Sequence, residues 1–330
     1  MKTKPTVAGS SQVPNPPHPH RRREPLPWHQ PKPPCDDPGA LARVQKILES
    51  PSYRQADQDI DWLNDYETRG VRLQIDYEKP EFLMEQRGIR HSVVVFGSTR
   101  IEEPASAQRR VAELRAALAA EPGDAALEQR LAVAERLLEK SRYYDVAREL
   151  GRRVGAAADG PDDCRLVVMT GGGPGMMEAA NRGAWDVGSP TVGLNIDLPH
   201  EQFPNPYITP DLCFRFHYFS LRKLHFLLRT RALVVFPGGY GTFDELFETL
   251  TLIQTRKIKP IPVVLVGRKF WRRAFNVEFL IEEGVIEGED RELFWYAETA
   301  DEIWSGILAW HEANGTPLLD AGPNRKGESR

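Results

Sequence analysis

Five short segments of the chain are apolar at most consecutive positions and rich in β-branched residues. Runs of this kind, without regular polar alternation, are typical of strands that are buried on both faces of a parallel sheet. Helical periodicity separates several of them, which predicts βαβ units with right-handed crossovers. The expected strands are 92–96, 166–170, 191–196, 232–236 and 261–266, and the expected helices are 124–150, 175–187, 217–229, 242–256 and 300–311. The sequence therefore predicts an α/β fold with a Rossmann-like, doubly wound, mostly parallel sheet and helices on both faces.

Composition excludes several classes of protein. The chain has 330 residues, of which 41% are hydrophobic and 27% charged, and these values are ordinary for a globular protein. Its formal net charge of −4 gives no footprint for nucleic acid or an anionic membrane. Its 3 cysteines form no CxxC pair, which argues against a disulfide scaffold or a zinc ribbon. Because neither a membrane-spanning run nor a secretory signal is evident, we expect a cytoplasmic protein.

Changes in composition divide the chain into four parts. Residues 1–38 are rich in proline and poor in aliphatic residues, so we expect a disordered segment. Residues 39–90 show the periodicity of a helical N-terminal extension. Residues 91–312 hold the predicted sheet, with a helical insertion at about 104–140. The polar tail at 313–330 is expected to be flexible.

Two glycine-rich loops each follow a predicted strand and precede a predicted helix. Such a turn exposes backbone N–H groups and directs the positive end of a helix dipole at a ligand, most often a phosphate. A third turn, after the first strand, contains Gly97 and Ser98. The candidate contacts in the two loops are Gly172, Gly173 and Gly175 in the first, and Gly238, Gly239, Tyr240, Gly241 and Thr242 in the second. One loop alone often serves a steric purpose, but two at adjacent strand ends favour a ligand crevice.

Neither loop has a standard fingerprint. The first does not fit GxGxxG, and neither contains the GK[ST] of an NTPase loop. The sequence therefore supports neither a standard NAD site nor an NTPase site.

Glu245 follows Thr242 at the spacing of a capping box, in which the two side chains would cap the start of a helix. On the pattern alone, the cap is the favoured interpretation. A carboxylate in the first helical turn is also stabilised as the anion by the helix dipole. The position would therefore suit a base, a nucleophile or a stabiliser of positive charge better than a general acid.

Arg222 and Lys223 lie on the predicted helix that leads to the strand before the second loop. An arginine can clamp a phosphate through two hydrogen bonds. A solvated basic face explains the pair equally well. His217 and His225, on the same segment, are interpreted as packed histidines.

These residues carry a resemblance to a known family. The run PGGYGTFDE fits the pattern PGGxGTxxE, and Arg222 and Lys223 stand upstream of it at the expected place. Over roughly residues 90 to 300, the chain resembles the LOG ("lonely guy") family of nucleoside 5′-monophosphate phosphoribohydrolases, which were often labelled lysine decarboxylases. The resemblance implies catalytic roles for Arg222 and Glu245. It also implies substrate contacts at Glu201, Lys223, Gly238 to Glu245, and Thr251.

The resemblance further implies a Rossmann-like fold, a homodimer or an assembly of dimers, and the release of a free base and ribose 5-phosphate. The sequence shows no cluster of metal ligands, so we expect neither a metal nor another cofactor. The chain departs from the compact members by its N-terminal extension, by its helical insertion and by the first loop, which reads GGGPGMMEA where they read GGGxxGLMG. It looks like a larger bacterial subgroup. The nucleotide therefore stays open between AMP, a cytokinin riboside monophosphate and another purine or pyrimidine nucleotide.

Cleavage would develop oxocarbenium character at C1′, which the Glu245 carboxylate would stabilise while it polarises the attacking water. The phosphate would lie on the amides of the second loop. A nucleotide sensor without turnover is the main alternative. A pyridoxal phosphate decarboxylase is the weaker one, because no lysine stands in a context that suggests a Schiff base.

Overall fold

A computed structural model describes residues 20–21, 24, 31–157, 165–198 and 203–318. The expectations for segments 1–38 and 313–330 fall mainly outside these ranges. The chain divides into two compact units, the first ending at Arg69 and the second beginning at Gly70. None of the helices formed by the described residues combines the length and the apolar content that a bilayer crossing requires.

The first unit contains short helices, and the second contains the sheet. The α-helices are α1 Ala40–Leu48, α2 Ile60–Leu63, α3 Arg69–Gln86, α4 Pro104–Ala120, α5 Ala125–Lys140, α6 Arg142–Ala156, α7 Met176–Asp186, α8 Phe219–Leu228, α9 Tyr240–Gln254, α10 Arg268–Ala274, α11 Val277–Glu282 and α12 Ala300–Ala313. The strands are β1 His91–Phe96, β2 Leu166–Thr170, β3 Thr191–Ile196, β4 Cys213–Phe216, β5 Thr230–Val235, β6 Val263–Val266 and β7 Trp295–Ala297. Short 3₁₀ helices occupy Pro51–Tyr53, Ala56–Gln58, Tyr66–Thr68, Pro210–Leu212 and Gly288–Leu293.

In the described ranges, seven strands form one sheet in the order β4-β3-β2-β1-β5-β6-β7, and every neighbouring pair is parallel. This confirms the predicted α/β, doubly wound architecture. Alternate residues of β1 enter different hydrophobic clusters: Val93 and Val95 pack with α6, α7 and α12, whereas Val94 and Phe96 pack with α3, α8 and α9. The central strands are therefore buried on both faces, which explains their unbroken apolar runs.

Two strands and one helix break were not predicted. β4 alternates between buried and exposed positions at one edge of the sheet, and β7 has only 3 residues at the other edge. The single helix expected over 124–150 is interrupted at Ser141, which separates α5 from α6. The Ser141 hydroxyl donates to the Leu138 carbonyl at 2.8 Å, a local bond that competes with helix continuation.

Helices α6 and α7 cross at two glycines. A Cβ on Gly183 would overlap the backbone of Arg148 and Arg152, and a Cβ on Gly151 would overlap the backbone of Ala180. The missing side chains let the backbones of the two helices approach closely.

Candidate active site

The site lies where the strand order reverses. Strands β2, β3 and β4 follow one another outward from one edge of β1. The chain then returns to the centre of the sheet, and β5 pairs with the other edge of β1. The carboxyl ends of β2, β1 and β5 therefore open onto one crevice, the usual place for a ligand in such a sheet. The expectation that the two glycine loops follow adjacent strands is wrong, because β1 lies between β2 and β5.

The turn after β1 connects the two glycine loops. The Ser98 N–H donates to the Pro237 carbonyl at 2.9 Å, and the Ser98 carbonyl accepts from Met176 N–H at 3.1 Å. The Ser98 hydroxyl accepts from the Arg100 N–H at 3.1 Å, within its own turn. Gly175 has a φ of +72°, and a Cβ there would overlap Ser98 and Thr99. Glycine is therefore required where the first loop touches the turn.

Hydrogen bonds within the protein close the first loop, Thr170 to Gly175. The Gly172 N–H donates to the Thr170 hydroxyl at 3.0 Å. Asn205 holds the loop from outside, because its N–H donates to the Gly172 carbonyl at 2.9 Å and its side-chain amide to the Gly173 carbonyl at 3.1 Å. Gly172 and Gly173 are buried. The first loop is therefore a rigid wall of the crevice, and at least one of its backbone N–H groups already donates a hydrogen bond within the protein.

A buried asparagine completes this network. The Asn181 side-chain oxygen accepts from the Thr170 hydroxyl at 2.7 Å and from the Asn205 side-chain amide at 2.9 Å. Sequence reasoning missed both asparagines. An amide on the apolar face of the helix in MMEAANRGAW was the available signal for Asn181, since a buried polar side chain needs partners. Asn205 had no comparable signal.

The second loop, Pro237 to Thr242, is open by contrast. Gly239, Tyr240 and Gly241 are exposed, and Tyr240 is 96% exposed. Helix α9 begins at Tyr240 with Gly239 as its N-cap and has no side-chain cap. An uncapped helix start presents free N–H groups and a positive dipole end to solvent. This loop is therefore better suited than the first to hold an anion.

The predicted capping box is wrong. Thr242 is the third residue of α9 and not its cap, and its N–H donates to the Gly239 carbonyl at 2.9 Å. Its side chain packs against Gly238, where a Cβ would overlap it. Glu245 lies in the second turn, so the expected stabilisation in the first turn does not apply to it. The two residues are free for a function other than capping.

Glu245 is a buried carboxyl with a shifted pKa. Its residue is 6% exposed. Burial raises the pKa of Glu245 to about 7; the Arg222 charge opposes this shift, and the carboxylate of Glu248 adds to it. Sequence reasoning expected an anion favoured by the dipole, but loss of hydration outweighs that effect. Near neutral pH this carboxyl can either accept or donate a proton.

Arg222 reaches from α8 to the first loop. Its Nε donates to the Leu194 carbonyl at 2.7 Å, and one terminal nitrogen lies 3.5 Å from the Gly171 carbonyl. The guanidinium carbon lies 5.2 Å from the centre of the Phe226 ring. Burial lowers the pKa of Arg222 and the charge of Glu245 raises it, but a guanidinium keeps its charge at any physiological pH. It supplies a fixed positive charge to the crevice.

Lys223 faces the carboxylates of α9. Its Nζ lies 2.7 Å from Asp244 and 3.3 Å from Glu248. Burial lowers the pKa of Lys223, but hydrogen bonds to Asp244 and Glu248 outweigh this effect and raise it. The lysine thus joins α8 to α9 beside Glu245, and its ammonium is shared between two protein carboxylates.

Two further candidates were Glu201 and Thr251. Glu201 lies outside the described residues. Thr251 is exposed, and its hydroxyl donates to the Phe247 carbonyl at 2.6 Å. It follows Glu245 by six residues, which places it about 120° around the helix axis from Glu245. Within the part of the chain that the structure describes, no group of three or more His, Cys, Asp or Glu could hold a metal ion.

Part of the chain is similar to known proteins. Residues 177–307 match the family model described as possible lysine decarboxylase, and this range includes Arg222, the second loop and Glu245. The chain is 26% identical over 172 residues to the probable cytokinin riboside 5′-monophosphate phosphoribohydrolase LOGL3 of Oryza sativa subsp. japonica, covering 50% of this chain and 75% of that relative. It is 28% identical over 187 residues to the cytokinin riboside 5′-monophosphate phosphoribohydrolase LOG3 of Arabidopsis thaliana, covering 54% of this chain and 82% of that relative.

One solved structure is also similar. An X-ray structure of the protein TM1055 aligns with a TM-score of 0.41 at 22% sequence identity, covering 66% of this chain and 98% of that one.

Proposed function

We propose that this chain, which is similar to the LOG phosphoribohydrolases, hydrolyses the N-glycosidic bond of a nucleoside 5′-monophosphate to a free base and ribose 5-phosphate. One observation carries the proposal. A buried carboxyl with a pKa of about 7, Glu245, lies on the same helix as an uncapped, glycine-rich N-terminus and in the field of a half-buried arginine, Arg222.

The exposed second loop would bind the phosphate. The free amides at the start of α9 and the helix dipole favour a dianion there, and Thr242 adds a hydroxyl beside Gly238. Glu245 follows Tyr240 by five residues, about 7.5 Å along the helix. That separation is of the order of a ribose ring with its 5′-phosphate. A nucleotide anchored by its phosphate would thus extend its ribose toward the carboxyl.

Arg222 would orient the ribose phosphate from the opposite wall. Its guanidinium is held by the Leu194 carbonyl and lies over Gly171, so it presents a positive charge with few alternative positions. A positioned guanidinium binds phosphate or ribose oxygens through directed hydrogen bonds. The first loop, which is closed by its own hydrogen bonds, would serve as the wall against which this charge is placed.

Glu245 would act on the reacting centre. As the C1′–N bond breaks, the bonding electrons leave with the base, and the ribose develops oxocarbenium character. The ionised Glu245 stabilises this charge, and its pKa also allows it to accept a proton from the water that adds to C1′. The departing base takes up a proton. Trapping of a covalent glycosyl-enzyme distinguishes a nucleophilic carboxylate from a base or an electrostatic stabiliser.

Product analysis tests the proposal. The purified full-length protein is incubated with AMP, a cytokinin riboside 5′-monophosphate and a panel of other nucleoside monophosphates, beside the Glu245→Gln variant. We expect free base and ribose 5-phosphate from the wild type and a rate at least a hundredfold lower from the variant. Binding of nucleotides without release of any base would reject hydrolysis and leave the sensor function. A glycosyl-enzyme trapped by mass spectrometry would assign Glu245 as the nucleophile.

We further propose that the protein forms a homodimer or an assembly of dimers. Helices α8 and α9 expose large apolar side chains next to the site: Phe219 is 50% exposed, Leu228 45% and Phe247 39%. Such side chains gain free energy when a second surface covers them. Sedimentation equilibrium of the full-length protein checks this proposal, and a monomer at micromolar concentration would contradict it.

A further inference from the structure

Helix α3 precedes the sheet and packs along the helix that carries Arg222. Asp76 contacts the start of α8, Tyr77 its middle and Glu81 its end. We propose that α3 is a positioning element of the site, and that the Asp76 carboxylate fixes the start of α8 and with it the placement of the Arg222 guanidinium. This role goes beyond the proposed hydrolysis, since it concerns how the arginine is held and not which bond is cleaved.

The Asp76 carboxylate caps the start of α8. Helix α8 begins at Phe219, and its N-cap residue, Tyr218, provides no side-chain cap of its own. Asp76 supplies one from α3: its carboxylate accepts from the Tyr218 N–H at 3.0 Å and from the His217 N–H at 3.1 Å. A carboxylate at this end of a helix also interacts favourably with the helix dipole.

The capped turn of α8 also holds the backbone of Arg222. The Arg222 N–H donates to the Tyr218 carbonyl at 3.2 Å, so Arg222 closes the turn that Asp76 caps. Its side chain then spans to β3, where Nε donates to the Leu194 carbonyl at 2.7 Å. A shift of Tyr218 would be transmitted within a single helical turn to the base of the Arg222 side chain. A guanidinium that must meet both a protein carbonyl and a ligand tolerates little displacement.

The rest of α8 is fixed by the same helix. His225 is fully buried, with Nδ1 2.8 Å from the Leu221 carbonyl and Nε2 3.1 Å from the Tyr77 carbonyl. Directly after α8, Arg229 donates to both carboxylate oxygens of Glu81. These contacts hold α8 against α3 even when the cap is removed. Loss of Asp76 should therefore loosen the first turn of α8 without releasing the whole helix.

A measurement on the arginine itself tests the inference without any need for turnover. The Nε–H signal of Arg222 in the ¹⁵N–¹H spectrum of the full-length protein is assigned by its absence in Arg222→Lys. We expect its hydrogen exchange to be at least tenfold faster in Asp76→Ala, because the bond to Leu194 opens more often. In Asp76→Asn, the exchange rate should fall between those of the wild type and Asp76→Ala, since the amide oxygen can still accept a hydrogen bond.

Glu85→Ala is the matched control, because it removes an exposed carboxylate from the same helix. Unchanged exchange in Asp76→Ala would overturn the inference. An equal acceleration in Glu85→Ala would overturn it as well, since the effect would then be a general loosening of α3. If Asp76→Ala does not fold, Asp76→Asn against Glu85→Gln decides the question on the same criterion.

Kinetics separate positioning from a merely structural role. In the wild-type background, Asp76→Ala should lower kcat/KM for nucleotide hydrolysis about tenfold. In the Arg222→Lys background, the same substitution should lower it less than twofold, because the positioned group is already gone. Equal losses in both backgrounds would contradict the inference. If the wild type hydrolyses no nucleotide, the proposed function fails, while the exchange of Arg222 Nε–H still decides the role of α3.

Discussion

Arg222 and Glu245 influence each other across the crevice without direct contact. The guanidinium lowers the pKa of the carboxyl, and the carboxylate raises the pKa of the guanidinium. The two side chains, both in the described part of the chain, form no ion pair; Arg222 instead donates to Leu194. A direct ion pair would engage the groups with each other, whereas this arrangement leaves the carboxylate free for a reacting centre and keeps a positive charge near it.

The rate of hydrolysis should depend on the ionisation of Glu245. If the carboxylate is the active form, kcat/KM rises with pH and levels off above about 7, the pKa of this group. The substitution Arg222→Met removes a charge that lowers the pKa of Glu245, so the rising limb of the pH–rate profile should move to higher pH. A pH–rate profile of both proteins checks the prediction, and a profile that falls through pH 7 would instead identify Glu245 as a general acid.

The same carboxyl should make the fold less stable as pH rises. Its pKa in the folded protein, about 7, exceeds the ordinary value of 4.5, so the folded state binds the proton more tightly than the unfolded state. Its contribution is therefore fully present below about pH 4.5, is lost as the pH rises to about 7, and amounts to about 3 kcal/mol. Glu245→Gln removes this dependence.

Urea unfolding of the wild type and Glu245→Gln at several pH values measures the effect. The difference in the free energy of unfolding, variant minus wild type, should become more positive by about 3 kcal/mol between pH 4.5 and 8. A difference that stays constant over this range would show that Glu245 titrates normally.

Gly171 provides a test of the wall below Arg222. A Cβ at this position would lie 2.5 Å from an Arg222 terminal nitrogen and 3.0 Å from the Met177 sulfur. Both neighbours are flexible side-chain ends, so Gly171→Ala should fold and displace the guanidinium. We expect a loss of about tenfold in kcat/KM with a change of less than ~1 kcal/mol in the free energy of unfolding. Gly288→Ala, where a Cβ meets nothing within 4 Å, is the matched control and should leave both quantities unchanged.

The crossing of α6 and α7 predicts a different response. A Cβ on Gly183 would overlap backbone atoms of Arg148 and Arg152, which cannot turn away as a side chain can. Gly183→Ala should therefore lower the free energy of unfolding by about 3 kcal/mol or prevent folding. Gly70→Ala, a helical glycine of α3 with open space around it, should instead raise it by up to about 1 kcal/mol. Thermal and urea unfolding of the two variants compare them, and similar stabilities would contradict the prediction.

Sequence reasoning succeeded where burial leaves an unbroken apolar run. The five predicted strands all exist, because each is covered on both faces. It failed at β4 and β7, since an edge strand of 3 or 4 residues leaves too short a pattern. It also extended one helix through Ser141, because the apolar periodicity continues across a break that a single hydroxyl helps to form.

The candidate site shows a second limit. The motif identified Glu245 and Arg222 as candidates, but the local pattern of Thr242 and Glu245 suggested a cap and an anionic carboxylate. Where α9 begins is decided by Gly239 and the turn before it, and how far Glu245 is buried is decided by packing against other elements. Both are tertiary properties, so a pattern of neighbouring residues could not supply them. Asp76 could not be identified from the sequence either, because it lies about 140 residues before the backbone groups that it binds.

Ser98 connects the two sides of the crevice through its backbone. Its N–H donates to the loop after β5 and its carbonyl accepts from the helix after β2, so this one residue links both sides of the opening. A crevice whose sides are linked before binding needs little rearrangement when a ligand arrives. Less of the binding free energy is then lost in ordering the protein. Moving either wall outward would break a hydrogen bond to Ser98. The proposed nucleotide would therefore enter an opening whose two sides are already linked to each other.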